Sequence, residues 1–173
     1  MFRIHVAVCR FVNEGSGIRR QPVAGVATLG AIGGQAAFRL PFLSLGDIEM
    51  SARVLEDLEF ARWARKERLT EQMLRNAADE IERGQVDARL GGFLLKKRVA
   101  RPGGGKRGGY RTIVAYRQGV RLVFLFGFAK DETENITRAE QLALGKLGDV
   151  YMAYDEASIE RMVRETLMIE VVR

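Results

Sequence analysis

The run VRLVFLFGFAK, residues 120–130, constrains the fold most. It is apolar at both odd and even positions. A strand so built must be buried on both faces, so it belongs in the middle of a sheet rather than at its edge. Two more strand patterns precede it. YRTIVAYRQ (110–118) is rich in β-branched and aromatic residues, and LLKKRVAR (94–101) alternates more weakly. RQGVR joins the last two strands as a tight hairpin, and GGGKRGG (103–109) joins the first two as a flexible loop.

Helical periodicity surrounds these strands. EFARWARKERL reads as a short helix with Phe60, Trp63 and Ala64 turned inward. Thr70 is placed to cap a second helix, whose Met73, Leu74, Ala77, Ala78 and Ile81 fall on one face; Gly84 stops it. After the strands, Thr137 caps RAEQLALGKLGDVYMAY and Asp155 caps EASIERMVRETLM. Ile159, Met162, Val163 and Leu167 are expected to pack on the body, and the closing residues are β-like. Helices, then strands, then helices is an α+β order. The expected architecture is two N-terminal helices packed on a small, mainly antiparallel twisted sheet, followed by C-terminal helices.

Residues 1–49 differ: they are rich in Gly and Ala, hold two of the three prolines and keep no steady period. The division expected is 1–49 as a poorly ordered extension and 50–173 as the folded domain. Met50 is the expected native start, with residues 1–49 read from an over-extended frame. The alternative is a mobile N-terminal extension.

The chain has one cysteine, Cys9, and one histidine, His5. A lone thiol builds neither a disulfide framework nor a zinc site, and a lone histidine builds no triad or HExxH metal site. No cofactor and no metal are expected. No run of eighteen apolar residues is present, so neither a membrane span nor a membrane partner is expected. The first residues are broken by His5, Arg10 and Asn13 and make a poor signal peptide. These features fit the cytoplasm.

The formal net charge is +6, and its distribution says more than its size. From Ala88 to Lys130 there is no acidic residue and there are eleven cations. The rest of the domain from Met50 carries a net charge of −7. An acidic helical part and a basic sheet point to a polyanion, nucleic acid first. Alternation puts Lys97, Val99 and Arg101 on one face of their strand and Lys96, Arg98 and Ala100 on the other. On the next strand Arg111, Ile113, Ala115 and Arg117 share a face, opposite Tyr110, Thr112, Val114 and Tyr116. One face packs on helices, so some cations are expected at strand ends or on an open face.

PGGGKRGG is not a nucleotide-binding P-loop: Ala100 stands where its first glycine belongs and Arg107 where its hydroxyl belongs. Asp131 and Glu132 are adjacent, so on an extended chain their carboxylates diverge and read as surface groups.

The segment KKRVARPGGGKRGGYRTIVAY, the apolar strand after it and then GFAKDETENI resemble the RelE/HigB-like toxins of type II toxin–antitoxin systems. The resemblance runs from about Phe60 to the end of the chain. It implies a metal-independent endoribonuclease that cuts mRNA on the ribosome and so inhibits translation. It also implies a cognate protein antitoxin, often of helix-turn-helix type. Metal-free cleavage needs a base for the 2′-OH, stabilisation of the phosphorane charge and an acid for the leaving 5′-oxygen. By position in the motif, the catalytic candidates are Lys97, Arg98, Lys106, Arg111 and Lys130. Lys97 or Lys106 is the candidate base, Arg98 and Arg111 bind the phosphate and transition state, and Lys130 protonates the leaving group or holds phosphate. The RNA-binding candidates are Lys96, Arg101, Arg107, Tyr110, Tyr116 and Arg117, with either tyrosine stacking a base or moving a proton. A non-catalytic ParE-like gyrase-binding toxin, or a degenerate RNA-binding module, is the competing reading.

Overall fold

A computed structural model describes residues 52–101, 108–129 and 135–172. Expectations about residues 1–49 and about Lys106, Arg107 and Lys130 lie outside the described residues. The chain runs β1 (Arg53–Asp57), α1 (Leu58–Lys66), α2 (Glu71–Glu82), β2 (Ala88–Gly91), β3 (Leu94–Val99), β4 (Tyr110–Arg117) and β5 (Arg121–Ala129). It ends with α3 (Arg138–Ala153), α4 (Glu156–Arg164) and β6 (Met168–Glu170). The six strands form one sheet in the order β2-β3-β4-β5-β1-β6. Only the β1–β5 pair is parallel; the others are antiparallel.

β5 takes the inner position that its two-sided apolar pattern requires, with β4 on one side and β1 on the other. Its alternate residues feed two cores. Leu122 and Phe124 join Phe60 and Ala64 of α1 and Leu74, Ala77, Ala78 and Ile81 of α2. Val123, Leu125 and Phe128 join Leu144, Tyr151 and Met152 of α3 and Ile159 of α4. Helices therefore cover both faces of the sheet, so of the two places expected for the cations, strand ends or an open face, the open face is ruled out. Exposure for the cations comes instead at the ends and edges of strands.

The helix ends follow the sequence signals. Thr70 Oγ1 accepts from Met73 N at 3.3 Å, and Asp155 Oδ1 accepts from Ser158 N at 2.8 Å. Thr137 and Glu140 form a reciprocal capping box at the start of α3. Such caps contribute about 1 kcal/mol each. Gly84 follows α2 with φ +78°, and Gly119 turns the β4–β5 hairpin with φ +67°. Leu167 does not pack inward as expected; it is exposed, and Met168 is buried in its place as β6 begins.

The described domain opens on a strand, not a helix. β1 has only Val54 and Leu55 as apolar residues, too few to show a period. Its Arg53 lies beside Arg121 across the parallel pair, and Glu156 and Glu170 neutralise the two guanidinium groups.

Gly127 in mid-β5 has a packing cause. A Cβ there would sit 2.0 Å from Cζ3 of Trp63, which bridges Phe60 at 5.5 Å and Tyr110 at 5.3 Å between ring centroids. Gly127→Ala is expected to cost about 3 kcal/mol through forced repacking of the indole. That corresponds to roughly 10 °C in melting temperature, read by calorimetry.

Glu56 on β1 is buried, and burial pushes its carboxyl up to about 7, against a smaller downward pull from Arg65. The folded pKa lies above the unfolded one, so the fold favours the protonated acid. Stability is fully present below pH 4.5, the group's ordinary value, and is lost as pH rises toward 7. Glu56→Gln should flatten this slope and leave the variant about 3 kcal/mol more stable than wild type at pH 8. Urea denaturation midpoints between pH 4 and 8 read the difference.

Candidate functional site

β3 and β4 pair with Arg98 directly opposite Arg111 and Lys96 opposite Ile113. Opposed residues point to the same side of a sheet, with Cβ atoms about 5 Å apart. Lys96, Arg98 and Arg111 therefore share one face, the side on which Ile113 joins the α3/α4 core. They stand at the end of that face beside the approach to α3: Lys96 Nζ donates to Asn135 Oδ1 at 3.1 Å, two residues before the Thr137 cap. Arg98 is exposed. Arg111 is half-buried, and its Nη1 is buried with no hydrogen-bond partner among the described residues. Two like charges directly opposed in a ladder destabilise it unless an anion lies between them. A phosphate offers acceptor oxygens to both.

Arg98 is anchored on one side. Its Nε lies 2.5 Å from Asp87 Oδ1, and its backbone N donates to Asp87 Oδ2 at 2.7 Å. Asp87 is the last acid before the acid-free window, and sequence reasoning did not single it out.

Lys97 is not with them. It alternates to the other face, between Leu95 and Val99, and is only 5% exposed. Its Nζ lies 2.5 Å from Glu80 Oε2 of α2 and donates to the Gln85 carbonyl at 2.5 Å. A lysine so enclosed pins β3 to the end of α2, on the side of the sheet opposite Arg98 and Arg111.

The two tyrosines also lie away from the face of Arg98 and Arg111. Tyr110 is buried against α1: its hydroxyl donates to Glu67 Oε2 at 2.8 Å, and its ring meets Trp63 edge-on. Burial and the adjacent Glu67 carboxylate push its phenol up, against a downward pull from Arg101. Tyr116 packs on the same α1/α2 core. Both have the opposite parity to Arg111, so neither can stack a base on its face. Arg101 follows β3 on Tyr110's side, with its guanidinium carbon 4.9 Å from that ring's centroid. Arg117 closes β4 at the hairpin, about 20 Å along the strand from Arg111, with Nη1 3.5 Å from the Met152 carbonyl. Arg121 is buried at the same end, donating to the Tyr151 carbonyl at 3.0 Å. The basic window is thus one stretch in sequence but several places in space.

Among the described residues no cluster of His, Cys, Asp and Glu could hold a metal ion, and no helix is long and apolar enough to cross a membrane. A mixed six-stranded sheet with helices on both faces and opposed arginines on two adjacent strands defines a small α+β protein. The family model described as the RelE toxin of the RelE/RelB toxin–antitoxin system matches residues 52–171. The chain belongs to that family. No curated protein matches it.

Proposed function

We propose that this protein is the toxin of a toxin–antitoxin pair and acts as a metal-independent endoribonuclease on mRNA held by the ribosome. Membership of the RelE family supports the toxin role and an antitoxin partner. The observation that carries the chemistry is the opposed Arg98–Arg111 pair, with a buried Arg111 nitrogen that has no partner among the described residues. In this reading both guanidinium groups hold the scissile phosphate and stabilise the charge that grows on its oxygens, and Lys96 adds a further phosphate contact. A base removes the 2′-OH proton, O2′ bonds to phosphorus, the P–O5′ bond breaks and an acid protonates O5′. The products are a 2′,3′-cyclic phosphate and a 5′-hydroxyl. With Lys97 engaged by Glu80, Lys106 remains as the proposed base, and Lys130, next after the last residue of β5, as the acid. Arg107 is a further proposed RNA contact. The setting is the cytoplasm, and the antitoxin is a helix-turn-helix protein whose acidic side chains cover this face.

Controlled expression in bacteria tests the reading. Growth arrest with transcripts cut within codons is expected. Arrest with intact transcripts and damaged chromosomes would favour a gyrase poison instead.

A further inference from the structure

We infer that Asp87 is a positioning residue that sets Arg98 for the phosphate, an inference that rests on the reading of Arg98 as a phosphate-binding group. One carboxylate grips this arginine at two points, the backbone N and the side-chain Nε. That fixes where the side chain leaves the strand and where its head lies. A carboxylate on Nε occupies at most the side edge of a guanidinium. The end-on Nη1–Nη2 fork, which matches two phosphate oxygens, is left for a second anion.

Asp87 is itself held. Its backbone N donates to the Lys96 carbonyl at 3.0 Å. Two residues earlier, the Gln85 carbonyl accepts from Lys97 Nζ, which also pairs with Glu80. Successive residues of β3 thus hold one turn from two sides: Lys97 from the α1/α2 side through Gln85, Arg98 from the α3/α4 side through Asp87. A flexible arginine must lose rotamer freedom when it meets a phosphate; one clamped beforehand has lost much of it already. The same acid opposes RNA electrostatically. Asp87 therefore acts on rate and on affinity with opposite signs, which a purely structural ion pair would not do.

The test uses purified protein on programmed ribosomes, with Asp87→Ala, Asp87→Glu, Arg98→Ala and the Asp87→Ala/Arg98→Ala double variant. Affinity is read separately with a message carrying a 2′-deoxy nucleotide at the cleavage site. Asp87→Ala is expected to lower kcat by about 30-fold. It should bind the deoxy message as tightly as wild type, or up to about threefold tighter, with a steeper salt dependence. Asp87→Glu, which keeps both oxygens, should recover kcat to within about fivefold of wild type. The double variant should be no slower than Arg98→Ala, because Asp87 acts only through Arg98. A kcat for Asp87→Ala within twofold of wild type, or a double-variant loss equal to the product of the two single losses, would overturn the inference. Exchange of the Arg98 Nε–H with solvent, followed by NMR, reports the clamp without any cleavage. It should be slow in wild type and fast in Asp87→Ala. If wild type leaves the message intact, the nuclease reading fails, and equal exchange in the two proteins would refute the clamp by itself.

Discussion

Arg98→Ala combined with Arg111→Ala is expected to slow mRNA cleavage by at least about 10⁴-fold while leaving a folded protein that still binds its antitoxin. Removing one preorganised donor from a developing oxyanion typically costs 10²–10³ in rate, and here two would go from the same phosphate. The fold should not suffer. Arg98 is exposed and Arg111 half-buried, and no core cluster includes either side chain. Their replacement also removes a like-charge pair from adjacent strands. The melting temperature should stay within a few degrees of wild type or rise. A double variant that cuts within tenfold of wild type would show that the opposed arginines are not the phosphate site.

The second large effect separates stability from catalysis at Lys97. Glu80→Ala leaves the Lys97 ammonium buried with the Gln85 carbonyl as its remaining described partner. Breaking a buried pair from one side is costly. The loss expected is about 3 kcal/mol, moderated because the Glu80 side chain is 22% exposed. Replacing both partners, as Lys97→Met with Glu80→Leu, should restore most of it, since similar-volume apolar groups often serve as well as a buried ion pair. Denaturant unfolding reads these differences. At a temperature where it stays folded, Lys97→Met should cleave at most about tenfold more slowly than wild type, by loosening the turn that carries Asp87. Loss of a general base would instead cost 10²–10⁴. A loss in that upper range, with stability unchanged, would return Lys97 to the chemistry.

Much of the fold was legible because the relevant patterns are long or carry stop signals. β5 shows its central place in having no polar face, and α2 shows its limits in Thr70 and Gly84. β1 was illegible because five residues with two apolar side chains carry no period; its position depends on pairing with β5, some seventy residues later. The candidate site was legible in part. Strand parity correctly grouped Lys96 with Arg98 and separated both from Lys97. Which parity faces α1 and α2 was also written there: Leu95 and Val99 flank Lys97 at i−2 and i+2, and Thr112 and Val114 share parity with Tyr110. Cation density masked that signal, since a basic residue in a basic window reads as exposed until an acid is found to bury it. For Lys97 that acid is Glu80 of α2, and which strand residue it meets is fixed by tertiary packing, not by any local pattern. Asp87 had a positional cue, as the residue at which the acid-free window ends, but its two-point hold on Arg98 is visible only in the structure.

The most direct measurement is the fate of one phosphodiester. Purified protein would be mixed with ribosomes carrying a defined message, and the message ends identified chemically. The account requires a cut within the codon exposed on the ribosome, leaving a 2′,3′-cyclic phosphate and a 5′-hydroxyl, and no such cut by the Arg98→Ala/Arg111→Ala variant. A message left whole by a wild-type protein that still arrests growth, or the same cut made at full rate by the variant, would contradict it.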